Sequence, residues 1–122
     1  MSAVILIIED NEQNMYLMKF LLEKNGLQVI MAATGREGIE QAIRLKPQAI
    51  LLDIQLPEMD GYNVVRQLRQ NKELDGVPII AVTSYAMVGD REKIMAAGAT
   101  DYIEKPINPE IFVDQIRHNI KL

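Results

Sequence analysis

The chain contains no cysteine and only one histidine, His118. Disulfide scaffolds, thiolate zinc sites and thiol nucleophiles are thereby excluded. A histidine-rich metal site cannot be built within one chain, and a Ser-His-Asp triad would have to use His118. No run of Lys or Arg is present, and 17 acidic side chains against 13 basic ones give a net charge of -4. Neither nucleic acid nor an anionic membrane surface is therefore expected as a partner. The longest apolar run, Ala3 to Ile8, is far too short for a signal peptide or a membrane span, and the stretch Met1 to Glu9 contains no basic residue. The location these absences favour is the cytoplasm.

What remains is 122 residues, 48% hydrophobic and 25% charged, which fits one domain over residues 1–122 with a single core. Apolar runs rich in Val and Ile recur along it: Ala3–Ile8, Leu27–Met31, Ala49–Leu52, Val77–Val82 and a weaker Asp101–Ile103. Most are apolar throughout, as strands are when both faces of a sheet are covered. Pro78 lies near the start of its run, where a strand tolerates it.

Helical patterns fill the intervals. Met15, Met18, Leu21 and Leu22 share one face of a helix that should end at Asn25-Gly26. Thr34-Gly35-Arg36-Glu37 fits a capping box ahead of Ile39, Ala42 and Ile43. Val64, Val65 and Leu68 follow Asp60-Gly61, and Ile94 and Met95 precede Gly98. Asn108-Pro109 should open a last helix that buries Phe112, Val113, Ile116 and Ile120. The order is (βα) five times, which predicts an α/β fold: a doubly wound, five-stranded parallel sheet with helices on both faces.

Ligands of such a sheet bind outside the carboxyl ends of its strands. The runs end in Glu9-Asp10, Asp53, Thr83-Ser84 and Glu104-Lys105-Pro106. Three carboxylates, a hydroxyl and an ammonium should therefore converge on one edge. Crowded carboxylates raise one another's pKa unless a cation intervenes, and hard oxygen donors suit Mg²⁺. A carboxylate beside such an ion and a lysine can attack a phosphoryl group, giving an aspartyl phosphate, with Thr83 placed to hydrogen-bond the product. Taken singly, each residue has a plainer role: Asp10 as a helix cap, Lys105 as a solvated charge. Their joint placement at four strand ends favours the site.

The sequence resembles the receiver domain of two-component response regulators over its whole length. Val4–Asn11 looks like the acidic-pair motif, Leu51–Gly61 like the phosphoacceptor loop, Pro78–Thr83 like the switch-threonine motif and Tyr102–Pro106 like the lysine motif. Ile8–Met15 and Tyr85–Asp90 look most like the stand-alone, DivK-like members, although receivers of hybrid histidine kinases share much of this wording.

The resemblance implies a flavodoxin-like, CheY-like receiver fold and a phosphoacceptor switch rather than a conventional enzyme. Asp53 would accept a phosphoryl group from a histidine kinase or a histidine phosphotransfer protein. Asp10 would bind Mg²⁺ directly and Glu9 largely through water, joined by Asp53 and the backbone carbonyl of Gln55, with Mn²⁺ able to substitute. Lys105 would pair with the phosphoryl group, and the Lys105–Pro106 bond would be cis. Thr83 would move inward on phosphorylation and Tyr102 would follow, changing the surface of the fourth helix, fifth strand and fifth helix for a downstream protein target. Gln55 and Tyr85 would flank the path of the hydrolytic water, with the bulk of Tyr85 slowing loss of the phosphoryl group. The expected assembly is a monomer or weak dimer. With the chain ending at Leu122, output is expected through protein contact, or through a further domain if the sequence is an excised piece.

Other features are less pointed. Met87, Ile94 and Met95 fit either an adaptable partner surface or helix packing on the sheet. His118 suits a solvated position in a last helical turn. Two other chemistries compete for the site. An aspartyl-phosphate phosphatase would want an acid at position 55, where Gln55 stands, and a cap insertion. A flavin carrier would want a glycine- and hydroxyl-rich phosphate loop, where Glu9-Asp10-Asn11-Glu12 stands. A pseudo-receiver that is never phosphorylated would be expected to lack some of the motif residues, all of which are present.

Overall fold

Every apolar run forms a strand, and the strands lie parallel in one sheet of order β2-β1-β3-β4-β5. The computed structural model describes residues 3–57, 59–84 and 88–120, with only the backbone at Val88. In chain order the elements are β1 (Val4–Ile8), α1 (Glu12–Lys24), β2 (Gln28–Ala32), α2 (Gly35–Leu45), β3 (Ala49–Asp53), α3 (Gly61–Gln70), β4 (Ile79–Thr83), α4 (Val88–Ala97), β5 (Asp101–Glu104) and α5 (Phe112–Asn119). A short 3₁₀ turn, Lys72–Leu74, lies between α3 and β4. This is the flavodoxin-like arrangement. Among the described residues no helix is long and apolar enough to cross a membrane.

Alternate strand residues feed two cores, one on each face. Ile5, Ile7, Leu51, Ile80, Val82 and Ile103 pack with Met15, Met18 and Leu22 of α1 and Phe112, Val113 and Ile116 of α5. Leu6, Ile8, Ile50, Leu52 and Ala81 pack with Ala42, Val64, Val65, Leu68 and Ile94 of α2, α3 and α4. Each such Ile or Leu taken from water stabilises the fold by about 1.5–3 kcal/mol before the entropy of ordering it is subtracted.

The helix starts follow from local chemistry. Asn11 caps α1, its Oδ1 accepting the Asn14 N–H at 2.9 Å. Thr34 caps α2 by accepting the Glu37 N–H at 3.1 Å, and Asp60 caps α3 by accepting that of Tyr62 at 2.9 Å. α1 stops at Lys24 and the chain turns through Gly26 at φ 85°.

One expectation is corrected here. Asn108-Pro109 does not open the regular part of α5: Asn108 Oδ1 accepts the Glu110 N–H in a preceding turn, and the helix runs from Phe112. The Phe112 N–H still reaches the Asn108 carbonyl at 3.0 Å, so the turn leads straight into the helix. Of the two readings for Ile94 and Met95, packing on the sheet holds for Ile94, which is buried, whereas Met95 beside it is 40% exposed. Met87 lies outside the described residues.

Candidate functional site

The sheet changes direction between β1 and β3: the chain first adds β2 on one side of β1, then β3 on the other. The crevice outside the carboxyl ends of these two strands is where ligands of a doubly wound sheet bind. β1 is followed there by Glu9 and Asp10, and β3 ends in Asp53. β3 is buried at every position, which holds the Asp53 carboxylate rigidly at the sheet edge.

The three carboxylates come together. Glu9, Asp10 and Asp53 each offer an oxygen within 4.8 Å of the others, with Glu9 and Asp53 buried and Asp10 exposed. Because Asn11 is the helix cap, Asp10 faces the site without that competing task. Lys105, just past the end of β5, closes the cluster. Its Nζ lies 3.2 Å from Glu9 Oε1 and 3.3 Å from Asp53 Oδ2. Two backbone amides hold the acids from the other side: Asn11 N–H donates to Glu9 Oε2 at 3.2 Å, and Gln55 N–H to Asp53 Oδ1 at 2.9 Å.

One ammonium cannot neutralise this much buried negative charge. Burial pushes the Glu9 carboxyl up from 4.5 to about 7, helped by its hydrogen bond to Asp53 and by the Asp53 charge. The Asn11 N–H and Lys105 pull in the other direction and lose. The donor set therefore fits a divalent cation with hard-oxygen preference: an exposed carboxylate at the entrance, two buried ones behind it, and an excess of negative charge.

Thr83 ends β4, almost wholly buried, opposite Glu104 in the strand ladder, and its carbonyl accepts the Lys105 N–H at 2.8 Å. The Lys105–Pro106 peptide is cis. Tyr102 is half-buried, paired with Ala81 in the ladder and packed on the α2–α4 side of the sheet. Gln55 is exposed beside Asp53, and Tyr85 lies outside the described residues. His118 is exposed in the last turn of α5.

Sequence reasoning missed the two amides that hold Glu9 and Asp53, because backbone donors carry no residue signature. It also missed Arg91, whose guanidinium carbon lies 5.1 Å from the centre of the Tyr102 ring. Beside the acids a trough of about 570 Å³ opens between α1 and the end of β2, lined by Asp10, Met15, Tyr16 and Met31 among others.

With the geometry in place, comparison with known proteins is specific. The family model of the response regulator receiver domain matches residues 5–117. The polar-differentiation response regulator DivK of Brucella ovis is 42% identical over 117 residues, which span 96% of this chain and 95% of that protein. The chemotaxis response regulator CheY4 of Vibrio cholerae superposes with a TM-score of 0.94 at 26% identity, over 98% of this chain and 100% of that one. The receiver domain of the sensor histidine kinase PA1611 from Pseudomonas aeruginosa PAO1 superposes with a TM-score of 0.89 at 35% identity, over 97% of each chain. That structure holds a magnesium ion coordinated in its active-site cleft.

Proposed function

The chain belongs to the response regulator receiver family of two-component signalling, whose members are signalling switches, and from that premise we propose that Asp53 is its phosphoacceptor. The observation that carries the proposal is the pairing of Lys105 with both Glu9 and Asp53 at the switch point of the sheet. Residues 1–122 act as one receiver unit.

A carboxylate oxygen of Asp53 attacks the phosphorus of a phosphohistidine on a histidine kinase or phosphotransfer protein. The P–O bond forms as the P–N bond breaks, and the imidazole leaves with the electron pair of the broken bond. The buried strand end fixes the nucleophile, so little ordering remains to be done when the donor arrives. Gln55 N–H keeps Asp53 Oδ1 oriented. Lys105 Nζ, already 3.3 Å from Asp53 Oδ2, exchanges that contact for an oxygen of the transferred group. The open trough along α1, which reaches Glu9 and Asp10, offers the donor a surface beside the acidic site.

Asp10, Asp53 and the Gln55 carbonyl would hold Mg²⁺, with Glu9 acting largely through water; Mn²⁺ suits the same oxygen donors. When bound, the cation supplies positive charge to the phosphoryl oxygens. Thr83, at the end of β4, then turns toward the phosphoryl group, Tyr102 moves with it, and the face made by α4, β5 and α5 changes for a downstream protein. Gln55 and Tyr85 set the access of water to the acyl phosphate and hence its lifetime.

Incubation with acetyl phosphate and Mg²⁺ should add one phosphoryl group by intact mass. Neither Asp53→Asn nor chelated wild-type protein should gain it. An adduct that persists in Asp53→Asn would overturn the assignment. So would the absence of any adduct together with unchanged amide resonances near Thr83 on adding beryllofluoride.

A further inference from the structure

The attachment of α4 to the rest of the molecule is unusual in its chemistry. Among its described side chains only Ile94 is buried. Cationic side chains on its outer turns lie over aromatic rings on either side. Arg91 sits over Tyr102 of β5 at 5.1 Å, and Lys93 over Tyr62 of α3 at 4.6 Å. None of the five salt bridges among the described residues involves Arg91. Its charge is therefore directed at the ring face, the geometry in which a cation is attracted by the aromatic quadrupole.

The strand beneath is held differently on its other flank. Asn119 of α5 donates to Asp101 Oδ2 at 3.0 Å, one residue before Tyr102. That contact joins the Asp101 side chain of β5 to α5 and does not involve the Tyr102 ring. The ring's own restraint comes from packing on the α2–α4 core and from Arg91. Of the two, the cation is the one that an inward rotation of the ring would have to break.

We infer that Arg91 is a positioning residue for Tyr102: by lying over the ring it holds Tyr102 on the α4 side and so sets the balance between the resting and the phosphorylated arrangements of this face. The inference rests on the proposed switch function. An exposed cation–π contact shifts a two-state balance by about two- to fivefold, enough to tune a switch without locking it. Arg91 is exposed and makes no ion pair with Glu9, Asp10 or Asp53, so its replacement should leave the phosphoacceptor chemistry intact.

The test uses the full chain and follows the Tyr102 ring resonances by NMR, in wild type, Arg91→Gln and Arg91→Lys, each with and without Mg²⁺ and beryllofluoride. In wild type the Tyr102 signals should move on adding beryllofluoride. In Arg91→Gln, without it, they should already lie part-way to that position, and the apparent affinity for beryllofluoride should rise about two- to fivefold. Arg91→Lys, which keeps a cation, should stay near wild type. If Tyr102 moves in wild type but Arg91→Gln matches wild type in free-state signals and in affinity, the role of Arg91 is wrong and the switch reading stands. If Tyr102 does not move in wild type, the switch reading fails and this inference fails with it.

Discussion

Metal-free protein should lose stability as pH rises from about 4.5 to about 7, and Glu9→Gln should abolish most of that loss. The Glu9 carboxyl titrates at about 7 in the folded chain against an ordinary 4.5, chiefly because it is buried and next because Asp53 lies against it. Below about 4.5 both states hold the proton and the Glu9 contribution does not change with pH. Between the two values the unfolded chain has released its proton while the folded chain retains it, so each pH unit favours unfolding by about 1.4 kcal/mol. Above about 7 both states are ionised and the full loss persists. Glutamine carries no charge at any pH, so urea unfolding of Glu9→Gln at pH 4.5, 6 and 7.5 should show a flatter profile and a higher midpoint than wild type at pH 7.5. Mg²⁺ at pH 7.5 should stabilise wild type more than the variant, because the cation offsets a charge that only wild type carries. An unchanged pH slope in Glu9→Gln would show that the buried carboxylate is not its source.

Gly61→Ala should be the most damaging single-methyl change near the site. A Cβ at Gly61 would lie 2.5 Å from both the Cα and the carbonyl oxygen of Ile54, and 2.8 Å from its carbonyl carbon. These are backbone atoms, so no rotamer change relieves the clash, and either α3 or the chain after Asp53 has to shift. The Gly61 N–H also donates to that Ile54 carbonyl at 3.2 Å. Overpacking of this kind costs about 3 kcal/mol. The displaced segment includes the Gln55 amide that orients Asp53, so the phosphorylation rate with acetyl phosphate should fall as well. Gly76→Ala is the matched control: its Cβ would meet nothing within 4 Å, and both stability and rate should stay close to wild type. Equal unfolding midpoints for the two variants would contradict the contact.

The fold is legible in the sequence because strands covered on both faces leave continuous Val- and Ile-rich runs, and alternate helices leave their own spacing. The acidic site is legible for a related reason: in a parallel sheet the residues that end each strand must meet, so Glu9, Asp10, Asp53, Thr83 and Lys105 fall on one edge. The Lys105–Glu9 pairing joins residues 96 positions apart, and only the topology brings them together. Other features leave no such trace. The Lys72–Leu74 turn rests on one buried apolar residue, Leu74, too little to set up a period. The regular part of α5 begins at Phe112, later than the Asn-Pro pattern suggests, although Asn108 Oδ1 accepts the Glu110 N–H as a cap would and its carbonyl accepts the Phe112 N–H. Ile94 and Met95 are adjacent and both apolar, and only the packing separates the buried one from the exposed one. The Arg91–Tyr102 contact depends on how α4 lies against β5, and the two residues have no spacing that would announce it.

The most direct test is to locate the phosphoryl group chemically. Borohydride reduces an acyl phosphate but not a carboxylate, so reduction after treatment with acetyl phosphate and Mg²⁺, followed by peptide sequencing, marks the acceptor as homoserine. Homoserine at position 53 alone, absent when the metal is chelated, is the predicted result. Phosphorylated protein that yields aspartate at position 53, with the mark elsewhere, would contradict the assignment of Asp53 as the phosphoacceptor.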